Sequence, residues 1–189
     1  MGHALAEAAA GLGAGVTLIT TVAPPPPQTG LQVIRVDTAD EMKNAVRETL
    51  PGATALLMAA AVADYRPARV AASKLKKHAQ PWSLELVPTT DILASLRDDP
   101  ARSGVLVVGF AAETDDLMAN AQAKLAEKRL DLIVVNDVSR TDIAMGSDQN
   151  EVTIIDAAGI VAHVDRAPKA EVAASILRVV LSRISVPRT

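Results

Sequence analysis

Asp64, Tyr65 and Arg66 follow directly on a run of small apolar residues, Ala59-Ala60-Ala61-Val62-Ala63. Lys74, Lys76 and Lys77 come shortly afterwards, with His78 beside them. Small residues at the end of a strand let a ligand approach the backbone closely. A carboxylate just beyond can hold a cation. Lysines can bind phosphate and neutralise the charge that develops in phosphoryl or nucleotidyl transfer. A plainer reading pairs Asp64 with Arg66 or Arg69 and leaves the lysines as a solvated face.

Further residues carry similar alternatives. Gly109-Phe110-Ala111-Ala112-Glu113-Thr114 ends an apolar run, and Phe110 is the only phenylalanine. Its ring serves either as a core plug or as a contact for a base. Lys124 and Lys128 stand one helical turn apart, where like charges cost a few tenths of a kcal/mol, about 0.2–0.5. A shared anionic ligand would explain the pair, and so would two solvated side chains. Asn136-Asp137 closes another apolar run and either caps the next segment or touches ligand. Ser147-Asp148-Gln149-Asn150 reads as a turn. His3, His78 and His163 show no metal-ligand spacing, so no metal ligands are assigned. No Ser-His-Asp arrangement emerges. Gly11-Leu12-Gly13-Ala14-Gly15 imitates a dinucleotide fingerprint but follows a helix, so it reads as a helix cap and tight turn.

These residues need a scaffold. The 189 residues suffice for one domain with a sizeable core. Phe, Tyr and Trp occur once each, so Val, Leu, Ile and Ala must fill that core. A net charge of −3 supplies no global field for nucleic acid. Absence of cysteine excludes disulfides, thiolate metal sites and a cysteine nucleophile, and fits a reducing cytoplasm. No apolar run approaches the roughly 18 residues of a membrane span.

Helix and strand signals alternate along the chain. Helices are expected over residues 3–14, from Thr38 to about Leu50, from Thr89 or Thr90 through Arg97, and over 117–129 and 168–184. Thr38 with Glu41 makes a capping box, and Pro168 begins the last helix. Strands are expected over 16–20, 33–36, 53–62, 83–87, 105–111 and 131–136. A late hairpin joins 151–156 to 160–164. Residues 63–82 read as a long loop. This order predicts a doubly wound, Rossmann-like α/β domain with a mostly parallel sheet, whose ligands sit beyond the C-terminal strand ends. The sequence opens inside a helix, where such a domain normally starts with a strand and a Gly-rich turn.

Taken together, Ala-Ala-Val-Ala-Asp-Tyr-Arg-Pro (60–67), Lys-Leu-Lys-Lys (74–77), Val-Gly-Phe-Ala-Ala-Glu-Thr (108–114), Lys124 with Lys128, Asn136-Asp137 and Ser-Asp-Gln-Asn (147–150) resemble phosphopantothenate–cysteine ligase. The motifs stand in that family's order and spacing from Met1 to the terminal helix. The family is the synthetase half of the bifunctional bacterial coenzyme A biosynthesis protein. The resemblance implies that CTP activates the carboxylate of 4′-phosphopantothenate as an acyl-cytidylate, releasing pyrophosphate with Mg²⁺. L-cysteine then attacks to give phosphopantothenoylcysteine and CMP.

By the same resemblance, Lys74 takes the catalytic lysine position. Met58, Ala59 and Ala60 supply backbone beside the nucleotide, and Asp64 lies at the ribose, triphosphate or cation. Thr90, Asp91, Ile92, Leu93, Phe110, Lys124 and Lys128 complete the nucleotide site. Thr89-Thr90-Asp91 replaces the family's usual Asn-Pro-Asp. The family's Gly-Gly-Thr loop and Asn…Ser-Ser-Gly-Lys segment would precede Met1. The expectation is therefore a single synthetase domain over 1–189, truncated at its N-terminus, with no decarboxylase half and no FMN. That half is expected as a fusion partner or associate. A homodimer is expected too, with residues 74–87 as a protruding arm that turns Leu84 and Leu86 to a partner. Two alternatives are a nicotinamide-dependent oxidoreductase, disfavoured by the missing fingerprint, and a non-catalytic nucleotide-binding module.

Overall fold

Local chemistry starts the elements where it is strongest. In the computed structural model, which describes residues 1–71, 73, 74, 76, 82–113, 117–137 and 148–184, Thr38 Oγ1 accepts from the Glu41 amide at 3.1 Å. Glu41 Oε2 accepts in return from the Thr38 amide at 3.2 Å. This capping box opens helix α2 (Ala39–Thr49). Before it come α1 (Gly2–Gly11), β1 (Val16–Thr20) and β2 (Leu31–Arg35). After it come β3 (Ala55–Met58), β4 (Tyr65–Pro67), β5 (Leu86–Pro88) and α3 (Ile92–Ser95), then a single 3-10 turn at Pro100–Arg102. The chain continues through β6 (Leu106–Glu113), α4 (Leu117–Lys128), β7 (Leu132–Asp137), β8 (Gln149–Asp156), β9 (Gly159–Pro168) and α5 (Lys169–Ile184).

The main sheet has five strands in the order β3-β6-β7-β8-β9. β3, β6 and β7 run parallel, and β8 and β9 are antiparallel additions. β1 and β2 form a separate parallel pair. That pair joins the main sheet through packing rather than a ladder. Ile19, Ile34 and Val36 share one apolar cluster with Met42 and Val46 of α2 and with Leu56 and Met58 of β3. The expected α/β architecture with a mainly parallel sheet is present, divided into these two ladders.

Side-chain alternation assigns the two faces. Leu106, Val108, Leu132, Val134, Val152 and Ile154 pack against Leu5 of α1 and Val172, Ile176 and Val180 of α5. Val107 packs with Ile92, Leu93 and Leu96 on the opposite face. Ile133, Val135 and Ile155 pack there with Ala121 and Leu125 of α4. Each fully buried Val, Leu or Ile contributes about 1.5–3 kcal/mol. An aliphatic core therefore compensates for the scarcity of aromatic residues.

Four expectations need correction. The strand expected over 53–62 ends at Met58, because the alanine-rich continuation has little strand preference. The loop expected over 63–82 contains β4, which pairs with β5 in antiparallel register, Tyr65 opposite Pro88 and Pro67 opposite Leu86. The cap of α3 is Asp91, whose Oδ1 accepts from the Ala94 amide at 3.0 Å, rather than Thr89 or Thr90. A carboxylate satisfies the first turn and also complements the helix dipole. Pro168 ends β9 opposite Gln149 instead of starting α5. β9 is an edge strand, where proline sacrifices no ladder bond. The glycine-rich stretch does close α1 as expected, with Gly13 at φ +87°.

Candidate functional site

The parallel strands direct their C-terminal ends to one edge, and most of the expected site residues come from there. Met58 is the last residue of β3 and pairs with Gly109 of β6. Met58 is buried, Ala59 half-buried and Ala60 exposed. The chain thus emerges from the core over three residues, with small side chains that leave its backbone approachable. Gly109 faces α3. A Cβ there would stand 2.6 Å from Leu130 Cδ1 and 3.7 Å from Leu93 Cδ1, so glycine lets both leucines close over the strand.

The β4–β5 ribbon brings Asp64 to α3. The Thr89 amide donates to the Asp64 carbonyl at 2.7 Å, just below the Tyr65–Pro88 pair. The exposed Asp64 carboxylate therefore stands at the base of the ribbon, beside the Thr89-Thr90-Asp91 turn. Asp91 in turn reaches α4: Lys128 Nζ donates to Asp91 Oδ2 at 2.7 Å. Partial burial pushes the Asp91 carboxyl up, but the Ala94 amide and the Lys128 ammonium outweigh it and hold it below the usual range. Ile92 and Leu93 are 3% and 8% exposed, so their side chains belong to the core and only their backbone is available to a ligand.

Other expected residues lie apart. Phe110 is half-buried and packs with the α1–α5 cluster, on the opposite face from α3 and α4. It and the α4 lysines can meet one ligand only across the sheet edge. Lys124 is half-buried on α4 and already engaged. Lys74 is exposed beyond β4 and makes no ion pair among the described residues. Leu75, Lys77, His78, Thr114 and Ser147 lie outside the described residues.

Two polar atoms stand out beyond the expected set. Thr89 Oγ1 and Asn136 Oδ1 are buried with no hydrogen-bond partner among the described residues. Asn136, next to last in β7, stands opposite Ala112 of β6 near the same sheet edge. The Asn-Asp step at the end of an apolar run was the sequence signal for it; Thr89 was named from sequence only as a helix cap and turn residue. No group of three His, Asp or Glu side chains that could hold a metal occurs among the described residues. A cavity of about 210 Å³ between α4 and the β8–β9 hairpin contains none of the expected residues. The candidate site is an open sheet edge. No helix among the described residues is long and apolar enough to cross a membrane.

The profile of the DNA/pantothenate metabolism flavoprotein C-terminal domain family matches residues 1–184. The chain belongs to that family. Relatives and solved structures agree. The crystal structure of the C-terminal domain of the coenzyme A biosynthesis bifunctional protein CoaBC is 32% identical, with a TM-score of 0.78 over 97% of this chain and 81% of that one. CoaBC of Bacillus subtilis is 43% identical over 155 residues, 82% of this chain and 38% of that protein. A cysteine/cysteine sulfinic acid decarboxylase from an unknown prokaryotic organism is 40% identical over 185 residues, 97% of this chain and 51% of that protein. The chain thus spans about half, or less, of the curated relatives it matches.

Proposed function

We propose that this domain is a phosphopantothenate–cysteine ligase that uses CTP. The observation that carries this reading is the likeness to the CoaBC C-terminal domain over 97% of the chain, in a structure that ties Asp64 to the Thr89–Asp91 turn and Asp91 to Lys128. The ligand set is anionic throughout: a carboxylate, a phosphate and a triphosphate. The exposed Lys74 and the half-buried Lys124 and Lys128 suit it.

In this reading an oxygen of the 4′-phosphopantothenate carboxylate attacks the α-phosphorus of CTP. The bond to pyrophosphate breaks and an acyl-cytidylate forms. The cysteine amine then attacks the acyl carbon and loses a proton. An amide forms, and CMP leaves with the former carboxylate oxygen. Lys74 neutralises charge developing at the α-phosphate, while Lys124 and Lys128 hold phosphate oxygens. Met58, Ala59 and Ala60 pack their backbone against the nucleotide, with Thr90 to Leu93 and Phe110 as further contacts. Mg²⁺ usually binds through substrate phosphates and one or two carboxylates. The exposed Asp64 carboxylate fits that pattern, and the metal would supply charge neutralisation at the leaving pyrophosphate.

The β4–β5 arm exposes Tyr65, Val70, Trp82, Leu84 and Leu86, and Val70 is 92% exposed. Exposed large apolar side chains along one stretch suit a protein partner, and a homodimer is the partner proposed. Fusion to a decarboxylase half, in keeping with the bifunctional name of the CoaBC relatives, and a cytoplasmic location belong to the same reading.

The test is pyrophosphate release and CMP formation from CTP, 4′-phosphopantothenate and cysteine, by the chain alone and joined to the upstream segment its relatives carry. Formation of both products supports the reading. Neither product from either protein, with both folded, overturns it.

A further inference from the structure

The C-terminal end of α4 is built in a costly way. The residue that follows the helix, Arg129, has φ +49°, a left-handed conformation that helix ends usually assign to glycine. It is the only non-glycine residue with positive φ among those described. Its Cβ is crowded there, so the surrounding contacts must hold it.

Two guanidinium groups supply those contacts. Arg102 Nη1 donates to the Lys128 carbonyl at 3.0 Å, and Arg102 Nη2 donates to the Arg129 carbonyl. Arg97 Nη1 donates to the Glu127 carbonyl at 3.4 Å. Three successive carbonyls, which a helix leaves unpaired at its end, thus accept from two arginines of the segment between α3 and β6. Asp98 fastens the cluster from outside, 2.6 Å from Arg129 and 3.2 Å from Arg97.

The same segment begins at Asp91, which takes the Lys128 ammonium at 2.7 Å. Residues 91–102 therefore grip Lys128 twice, its carbonyl through Arg102 and its ammonium through Asp91. A plain helix stop would need neither strain nor a bidentate arginine. Glycine or water would serve.

We infer that Arg102 is a positioning residue for Lys128. It fixes the last turn of α4 so that the ammonium stands against Asp91, where a ligand phosphate can take the carboxylate's place. Planar bidentate geometry makes arginine suited to span two adjacent carbonyls, which a lysine cannot do. The inference rests on the reading of Lys128 as a nucleotide-phosphate contact. It extends that reading to a residue that touches no ligand.

The experiment has two arms on the full chain. Calorimetric titration with CTP and Mg²⁺ compares wild type, R102A, R102K, K128A and R102A/K128A. R102A is expected to weaken binding roughly three- to tenfold, R102K to recover part of it, and R102A to add nothing once Lys128 is gone. Equal losses from R102A with and without Lys128, or no loss at all, overturn the inference. The second arm needs no nucleotide. NMR titration of the Asp91 carboxyl is expected to show its midpoint rising toward the ordinary value in R102A. An unchanged midpoint in a folded variant overturns the inference. Should R102A fail to fold, R102K takes its place in both arms, with smaller shifts of the same sign expected. If no protein binds CTP, the nucleotide reading fails, and the Asp91 titration still decides whether Arg102 positions Lys128.

Discussion

Thr89 donates its backbone amide to the Asp64 carbonyl at 2.7 Å, and this bond closes the base of the β4–β5 ribbon. Two candidate ligand-binding stretches far apart in sequence thereby become neighbours. None of the ribbon's described residues joins any of the three apolar clusters.

The role proposed for the arm is assembly rather than folding. Replacing residues 68–85 with a short Gly-Ser turn is expected to leave the domain folded, with a Tm within a few degrees of wild type. The same change is expected to convert a dimer to a monomer. Sedimentation velocity and thermal melting check both. An unfolded deletion protein would contradict the separation of arm and core.

Asp91 performs two tasks that substitution can separate. Asn is as good a helix cap as Asp but carries no charge. D91N should retain nearly wild-type stability in urea unfolding, whereas D91A should lose about 1 kcal/mol. Both should alter CTP binding, because both release Lys128 from its carboxylate partner.

Much of this arrangement was legible in the sequence wherever its cause was local. Thr38 and Glu41 form their capping box within one turn, so the start of α2 follows from four residues. The long apolar run at β6 declares a strand buried on both faces. β4 was illegible because Tyr65-Arg66-Pro67 has no strand pattern of its own and pairs with residues well beyond the intervening loop, the strand expected over 83–87 and found as Leu86–Pro88. The cap at Asp91 instead of Thr90 is a local bond to the Ala94 amide, and Asp is at least as strong a cap as Thr; its pairing with Lys128 was illegible, because Lys128 is close only in the fold. Phe110 and the α4 lysines looked like parts of one wall; strand parity puts Phe110 on the other face.

Acid should weaken the fold through specific carboxylates. At Asp156, slight burial raises the pKa, but the Ala158 amide, the Arg183 guanidinium and the Gly159 amide outweigh it. Asp91 is lowered likewise. Each binds fewer protons folded than unfolded below the ordinary carboxylate pKa of about 3.9. Their contribution is complete above that pKa and is lost as pH falls through the lowered folded values. R183M should flatten the dependence of Tm on pH in this acid range. An unchanged slope would show that the Arg183–Asp156 contact at 2.6 Å contributes nothing.

Asn136 offers a contrast between stability and binding. Its Oδ1 is buried without a partner among the described residues, which is costly unless a ligand donor satisfies it. N136A should change unfolding free energy by less than about 1 kcal/mol. It should weaken binding of the nucleotide or the phosphopantothenate. Calorimetry with each substrate separately identifies which one supplies the donor. Wild-type affinity for both would remove Asn136 from the site.

The central claim is that CTP activates a carboxylate by forming an acyl-cytidylate on this sheet edge. It is tested most directly with 4′-phosphopantothenate labelled with ¹⁸O in its carboxylate, incubated with CTP, Mg²⁺, cysteine and the domain joined to its relatives' upstream segment. Mass spectrometry of the products should find one ¹⁸O in CMP and none in pyrophosphate, with both signals lost in K74A. Label in inorganic phosphate, or product formed without label in CMP, would contradict the account.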